Sequence, residues 1–181
     1  ELPREQVLLS VGELTPRKGF DFLVMSVGQL APAQRPTLKL ACNMVSAEER
    51  AYVEALAREQ GVSLQILIGL NADQLRLEYN RAQLCVYAPV LEPFGLVPLE
   101  AMACGTAVVG VREGGVQESI VHEQTGLLVK REPAAFAAAI AGLLANPALA
   151  RQYGHNGRAH VVRNWTWDRV IDDLEAHLLA V

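Results

Sequence analysis

Short runs of apolar residues alternate along the chain with longer stretches in which apolar residues recur every three or four positions. Such short runs are typical of strands buried on both faces of a parallel sheet, and the longer pattern is typical of amphipathic helices. The predicted strands are Gln6–Val11, Thr37–Cys42, Leu64–Ile68, Leu84–Ala88 and Ala107–Val111, with a short sixth strand at Leu127–Val129. Because strands and helices alternate, the sequence predicts an α/β domain with a Rossmann-like, doubly wound parallel sheet.

Helices are predicted from apolar faces and from the residues at their ends. Phe20–Val27 carries apolar side chains at helical spacing. Ser46, with Glu49 three residues later, has the spacing of a capping box, and the helix that it starts is predicted to end at Gly61. Further helices are predicted at Asp73–Tyr79, after Pro133, from Pro147 to near Asn164, and from Thr166 onward.

The segment Leu91–Gly105 is the most informative stretch of the chain. It follows the fourth predicted strand, and we expect Pro98 to occupy the first position of a short helix that ends at Gly105. A loop at the carboxyl end of a parallel strand, leading into a helix N-terminus, is where ligands and phosphate groups bind in such sheets. Glu92 in this loop and Glu100, expected in the first helical turn, suit the hydroxyl groups of a sugar or a ribose.

Glu92 and Glu100 are separated by seven residues, and this spacing resembles the E-x7-E signature of retaining glycosyltransferases with the GT-B fold, in family 4 (glycosyl transferases group 1). The surrounding residues Pro93–Gly105 are similar to that family, as are Gly114–Glu118 and Gly126–Val129. The resemblance covers nearly all of residues 1–181. It implies the C-terminal, donor-binding half of such an enzyme, with the N-terminal acceptor domain absent.

The resemblance implies a role for each matching residue. Lys18 would pair with the phosphates of a nucleoside-diphosphate sugar, Glu100 would hold the ribose, and Glu92 would face the transferred sugar. Backbone amides that would meet the sugar or phosphate belong to Gly95, Leu96 and Val97. Structural interpretations stay open: Lys18 as a surface lysine, Glu100 as a partner of the helix dipole, and Glu92 as a turn cap.

One position departs from the family pattern. The family usually has Gly-Arg-Leu after the first strand, whereas this chain has Gly12-Glu13-Leu14. Gly12 remains a donor-binding candidate, but a carboxylate at position 13 would repel the diphosphate that an arginine would bind. Three alternatives follow: Arg17 substitutes for the missing arginine, the donor binds in another pose, or the protein is a degenerate nucleotide-sugar binding or regulatory domain.

Gly114 and Gly115 follow the fifth predicted strand, again at a carboxyl end. Paired glycines allow close backbone approach to a ligand, so these two are further binding candidates. They are equally consistent with a tight turn.

Trp165 and Trp167 stand together before the last predicted helix. Either they anchor this helix to the core, or they form part of a face that meets the absent domain, as the last helix does in GT-B enzymes.

Composition excludes several classes of protein. The net charge of −4 argues against a nucleic-acid partner. No apolar run approaches the ~18 residues of a transmembrane helix, and the polar start at Glu1–Glu5 argues against a signal peptide. Three unpaired cysteines indicate reduced thiols, and the four histidines lack metal-site spacing. Neither a G-x-G-x-x-G fingerprint nor a Walker loop is present.

The sequence therefore predicts the donor-binding half of a retaining glycosyltransferase that needs no metal or other cofactor. Its expected partners are the nucleotide-sugar donor and the N-terminal domain, without which we expect no activity. A glycosidase dyad is rejected, because loop and helix positions would aim the two acids at different parts of an extended ligand. A weaker alternative is another GT-B enzyme acting on nucleotide sugars, such as an epimerase. We expect a cytoplasmic location, with any peripheral membrane contact made by the absent domain.

Overall fold

The computed structural model describes residues 3–179 of the chain. Glu1 and Leu2, two of the residues behind the expectation of no signal peptide, lie outside this range, as do Ala180 and Val181. The strands are β1 (Glu5–Val11), β2 (Thr37–Cys42), β3 (Leu64–Ile68), β4 (Ala82–Tyr87), β5 (Val108–Val111) and β6 (Gly126–Val129). The helices are α1 (Phe20–Gly28), α2 (Ala47–Glu59), α3 (Ala72–Arg81), α4 (Leu96–Ala103), α5 (Val116–Ser119), α6 (Pro133–Ala145), α7 (Pro147–Asn164) and α8 (Trp167–Leu179).

The six strands form one sheet in the order β3-β2-β1-β4-β5-β6, and every neighbouring pair is parallel. This is the strand order of a Rossmann fold, which confirms the predicted fold class. The order reverses between β1 and β4, so the chain leaves these two adjacent strands in opposite directions. A crevice is expected beyond the carboxyl ends of the strands at that point.

Each face of the sheet carries its own apolar core, because side chains alternate between the faces along a strand. On β1, Leu8 packs into one core, whereas Val7 and Leu9 pack into the other. The first core is completed by residues of α1, α2 and α6, and the second by residues of α3 and α4. Two layers of helices therefore hold the strand ends in fixed positions.

The central helix differs from the prediction at its start. It begins at Leu96, with Gly95 as its N-cap in the left-handed conformation, so that Pro98 is its third residue. Proline is tolerated throughout the first turn, because the amides there have no intrahelical acceptor. Glu100 is consequently the fifth residue of α4 and lies beyond the first turn, contrary to our expectation.

The tryptophans before the last helix have different environments. Trp165 packs edge-to-face on Phe94, with ring centroids 5.3 Å apart, and belongs to the second core. Trp167 is 83% exposed and begins the apolar face of α8, which is also exposed. Of the two tryptophans, Trp165 is the one that packs against the core.

Between residues 3 and 179, no single helix is long and apolar enough to cross a membrane; α6 and α7 reach the necessary length and composition only as a pair bent by 99°.

Candidate functional site

A cleft of about 520 Å³ opens at the carboxyl edge of the sheet, where β1 and β4 diverge. Its walls include the ends of β1, β2 and β4, the residues after β3, and the loop that leads into α4, together with residues of α3 and α4. Its lining residues include Gly12, Glu13, Lys18, Cys42, Leu70, Tyr87, Glu92, Phe94, Gly95, Leu96, Val97 and Glu100. The structure therefore brings Gly12, Lys18, both glutamates and the α4 amides together, as predicted. Leu70, from the segment after β3, reaches the same cleft.

Lys18 and Glu92 form an ion pair inside this cleft, with 2.8 Å between Nζ and a carboxylate oxygen. Their side chains are 23% and 21% exposed, so water screens the pair only in part. Lys18 is the last residue of a short 3-10 helix before α1, and its side chain passes along the backbone of Gly12. An ammonium group has three donors, so Lys18 can retain Glu92 and still donate to a ligand anion.

Glu100 accepts a hydrogen bond from the hydroxyl of Tyr79, 2.8 Å away. Tyr79 is almost fully buried at the end of α3, while the carboxylate that it contacts faces the cleft. Burial, with the nearby thiol of Cys85 and the charge of Glu100, raises the pKa of Tyr79, so this hydroxyl remains a donor at neutral pH. The sequence motifs did not point to Tyr79. The one signal is that Leu75 and Tyr79, four residues apart, share a face of α3.

The N-terminus of α4 points into the same space. Its N-cap Gly95 and its first two residues, Leu96 and Val97, all line the cleft. The first amides of a helix have no intrahelical acceptor and carry the positive end of the helix dipole. This end of the cleft is suited to an anionic group.

Glu13 lines the rim of the cleft and is exposed. The loop that carries it is tied to the loop after β2, since Leu14 donates to the Met44 carbonyl and Ser46 donates to that of Leu14. Three carboxylates therefore line the cleft with one lysine. Arg17 is exposed and is not among the lining residues, so its position does not support its expected role as a substitute for the family's arginine.

Gly114 and Gly115 approach the protein's own backbone closely and do not line the cleft. A Cβ on Gly115 would lie 2.3 Å from the Pro93 carbonyl oxygen, and the Gly115 amide donates to the Glu92 carbonyl at 2.7 Å. The structure therefore agrees with the alternative of a tight turn, and a contact of these glycines with a ligand stays a prediction. These glycines let the turn after β5 pack against the Glu92 loop and support it from behind.

Arg131 holds the start of the same loop from the other side. It donates to the carbonyls of Ala88 and Pro89, forms a bidentate pair with Glu113, and lies over the ring of Phe22. Sequence reasoning gave no indication of this residue, because its partners come from distant parts of the chain. Together with the glycines, Arg131 fixes the path of the segment that carries Glu92.

Two further groups at the cleft remain protonated at neutral pH. Burial raises the pKa of Cys42 to about 11, which removes it as a nucleophile. Burial, followed by the charge of Glu92 and a hydrogen bond to it, raises the pKa of Tyr87. Among residues 3–179, no group of three or more histidine, cysteine, aspartate or glutamate side chains is placed to hold a metal ion.

The family model described as "Glycosyl transferases group 1" matches residues 2–160 of the chain. D-inositol 3-phosphate glycosyltransferase 2 of Catenulispora acidiphila is 33% identical over a match that covers 96% of this chain and 45% of that protein. The chain thus spans slightly less than half the length of the curated relatives that it matches.

Solved structures also match nearly all of this chain with about half of their own length. A sucrose-phosphate synthase from Thermosynechococcus elongatus is 34% identical with a TM-score of 0.85, covering 96% of this chain and 45% of that one. Anabaena HepE, solved with UDP-glucose, has a TM-score of 0.85, and the match covers 98% of this chain and 49% of the HepE chain. The two sequences are only 22% identical, so HepE supports the fold alone. The chain therefore belongs to the glycosyl transferases group 1 family and corresponds to the C-terminal domain of its GT-B enzymes.

Proposed function

We propose that this chain is the donor-binding half of a retaining glycosyltransferase, which transfers a sugar from a nucleoside-diphosphate sugar to an acceptor held by an N-terminal domain. The observation that carries the proposal is the shared cleft of Lys18, Glu92 and Glu100 at the switch point of the sheet. A phosphate-binding cation and two hydroxyl-binding carboxylates there match the parts of such a donor.

We assign one part of the donor to each group. Glu100, held by Tyr79, accepts hydrogen bonds from the ribose hydroxyls. Glu92 accepts from the transferred sugar, and Lys18 donates to the diphosphate while remaining paired with Glu92. The α4 amides supply further positive potential at the phosphates.

In the transfer step, negative charge develops on the departing diphosphate. Lys18 and the α4 amides are fixed before the reaction, so they stabilise this charge without reorganising. We propose that they neutralise the diphosphate without a metal ion. Because the acceptor must be held against the sugar by a second domain, we expect no transfer by this chain alone.

Thermal unfolding with UDP, GDP and ADP in separate titrations tests the proposal. Ligand at ~100 times its dissociation constant adds roughly 2.7 kcal/mol to stability. At about 2–4 °C per kcal/mol for a chain of this size, the expected rise in Tm is roughly 5–10 °C for the preferred nucleotide. An unchanged Tm with all three at millimolar concentration would contradict donor binding by this chain.

A second candidate function, a degenerate nucleotide-sugar binding or regulatory domain, is favoured by Glu13 on the rim of the cleft. Nucleotide affinity of the variant Glu13→Arg distinguishes this function from that of an active donor-binding domain. If Lys18 and the α4 amides suffice for the diphosphate, nucleotide affinity changes less than threefold. If Glu13 has disabled the phosphate site, affinity rises by tenfold or more, which is about 1.4 kcal/mol.

A further inference from the structure

A second cavity, also of about 520 Å³, lies at the opposite, amino edge of the sheet. Residues before β4 and β5 form one wall, and one face of α7 forms the other. None of its lining residues lines the donor cleft. Its volume falls within the range of small-molecule sites.

The cavity is strongly basic although the chain carries a net charge of −4. Arg4, Arg151 and Arg158 line it, and none of its described lining residues is an aspartate or glutamate. Arg151, His155 and Arg158 follow one another at helical spacings of four and three, so they share one face of α7. Arg4 is held by the Tyr79, Ala82 and Gly105 carbonyls, so the charges that can turn to a ligand are those on α7.

Two of these basic side chains make no hydrogen bond or ion pair within the described part of the chain. They are Arg151 and His155, and both are exposed. Arg158 donates to the Ala103 carbonyl at 3.2 Å through one nitrogen, which leaves other donors of its guanidinium group. Guanidinium groups bind phosphate in a bidentate manner. The side-chain amide of Asn80 also lines the cavity, and it retains one N–H beyond the one that it donates to the Arg76 carbonyl.

We propose that this cavity binds the phosphate group of a small phosphorylated molecule, through Arg151, His155 and Arg158. A free phosphomonoester and a phospholipid headgroup share this chemistry. The concave shape favours the free compound. The acidic residues of α8, the helix that follows α7, also favour the free compound over a lipid headgroup. The apolar face of α8 is accompanied by Asp168, Asp172 and Glu175, whereas helices that bind anionic membranes carry lysine and arginine on the polar face.

Cys104 provides a local readout, because it lines this cavity and does not line the donor cleft. Cys42, by contrast, lines the donor cleft. The chain is alkylated with neutral iodoacetamide, and the rate at each cysteine is followed by peptide mass spectrometry. We expect 10 mM inorganic phosphate to slow alkylation of Cys104 at least threefold relative to sodium chloride of equal ionic strength.

Variants assign the effect to the cavity. Arg151→Gln and, separately, Arg158→Gln should abolish the protection, whereas Arg58→Gln, the same change on the exposed surface of α2, should keep it. Arg151 makes no hydrogen bond or ion pair within the described residues, so its variant should fold normally. Calorimetric titration of phosphate into the same proteins measures binding directly, so that the test does not depend on how fast Cys104 reacts.

Three results would overturn the proposal: equal protection by chloride, protection retained in both Arg151→Gln and Arg158→Gln, or no phosphate binding by calorimetry. Flotation with phosphatidylglycerol vesicles distinguishes the two sources of phosphate. Arginine-dependent binding to vesicles without saturable binding of free phosphate would also reject it, in favour of a membrane surface.

Discussion

Glu92 and Glu100 share a cleft, but each depends on a different side chain for its position. Lys18 pairs with Glu92, and the Tyr79 hydroxyl donates to Glu100. The two contacts come from different parts of the chain, since Lys18 follows β1 and Tyr79 precedes β4. Each carboxylate can therefore be perturbed separately, which allows the proposed ribose and sugar roles to be tested one at a time.

Replacing Tyr79 with phenylalanine removes the donor to Glu100 and leaves the ring packed in the core. We expect nucleoside-diphosphate affinity to fall about three- to tenfold, in line with the roughly 1 kcal/mol of a single hydrogen bond. The loss should be no larger, because Glu100 is exposed and water can replace the hydroxyl. Calorimetric titration of the variant and the wild type with the preferred nucleotide measures this loss of affinity.

Tyr87→Phe is the matched control, since Tyr87 interacts most strongly with Glu92, and its electrostatic interaction with Glu100 is weaker than that. Its affinity for a nucleotide without sugar should stay within twofold of the wild type. Equal losses in the two variants would show that Tyr79 acts through general packing and would contradict its role in positioning Glu100.

At the residue scale, the sequence identified Lys18, Glu92 and Glu100 because they lie in short, recognisable motifs. It missed Tyr79 and Arg131, whose partners lie 18 or more residues away in the chain. Contacts of this kind depend on the packed sheet. The same limit explains Gly114 and Gly115, for which the sequence indicated close approach but did not specify the partner.

Among the elements, the loop between β4 and α4 is the one on which the site depends. Arg131 holds its first two carbonyls, those of Ala88 and Pro89, and is itself held by Glu113. Arg131→Gln should lower the free energy of unfolding by about 2–3 kcal/mol, because buried carbonyls lose charge-assisted donors. It should also weaken binding of a nucleotide sugar more than that of the nucleotide alone, since Glu92 lies in this loop.

Urea unfolding and calorimetry on Arg131→Gln measure both effects. Arg50→Gln serves as a control of the same chemistry, because Arg50 forms an exposed pair with Glu54 on α2, and such pairs contribute roughly 0–1 kcal/mol. Equal stability of the two variants would refute the role of Arg131 in holding the loop.

The bounds of an element were predictable where one sequence feature, such as an apolar run or a terminal proline, marked them clearly. The bounds of β2, β3 and α7 agree with the prediction, because their apolar runs and terminal prolines are unambiguous. The start of α4 was misplaced, since proline is compatible with any position of a first turn. The glycine N-cap at Gly95 has a left-handed backbone that sequence pattern does not distinguish from an ordinary turn.

For the molecule as a whole, buried thiols link stability to pH. In the folded chain, burial raises the pKa of Cys42 from 9.0 to about 11. An unfolded chain loses this proton nearer pH 9, so the unfolded state binds fewer protons between pH 9 and pH 11. Stability must therefore fall as pH rises through that window, by up to about 1.4 kcal/mol per pH unit for this group.

Urea unfolding of wild type and Cys42→Ala from pH 7 to pH 11 checks this linkage. Above pH 9 the variant should lose stability less steeply, by about 1 kcal/mol per pH unit. Comparing slopes removes the effect of the lost sulfur on packing. Parallel curves would mean that Cys42 titrates alike in both states.

The central claim is that the cleft at the carboxyl edge binds a nucleoside diphosphate through Lys18. Calorimetric titration of the nucleotide that most raises Tm, into wild type, Lys18→Met and Lys130→Met, tests it most directly. Lys130 is exposed and lies outside the cleft, so its variant makes the same charge change elsewhere. We predict single-site binding to wild type and Lys130→Met, and at least tenfold weaker binding to Lys18→Met, about 1.4 kcal/mol. Equal affinity in all three proteins would contradict the account.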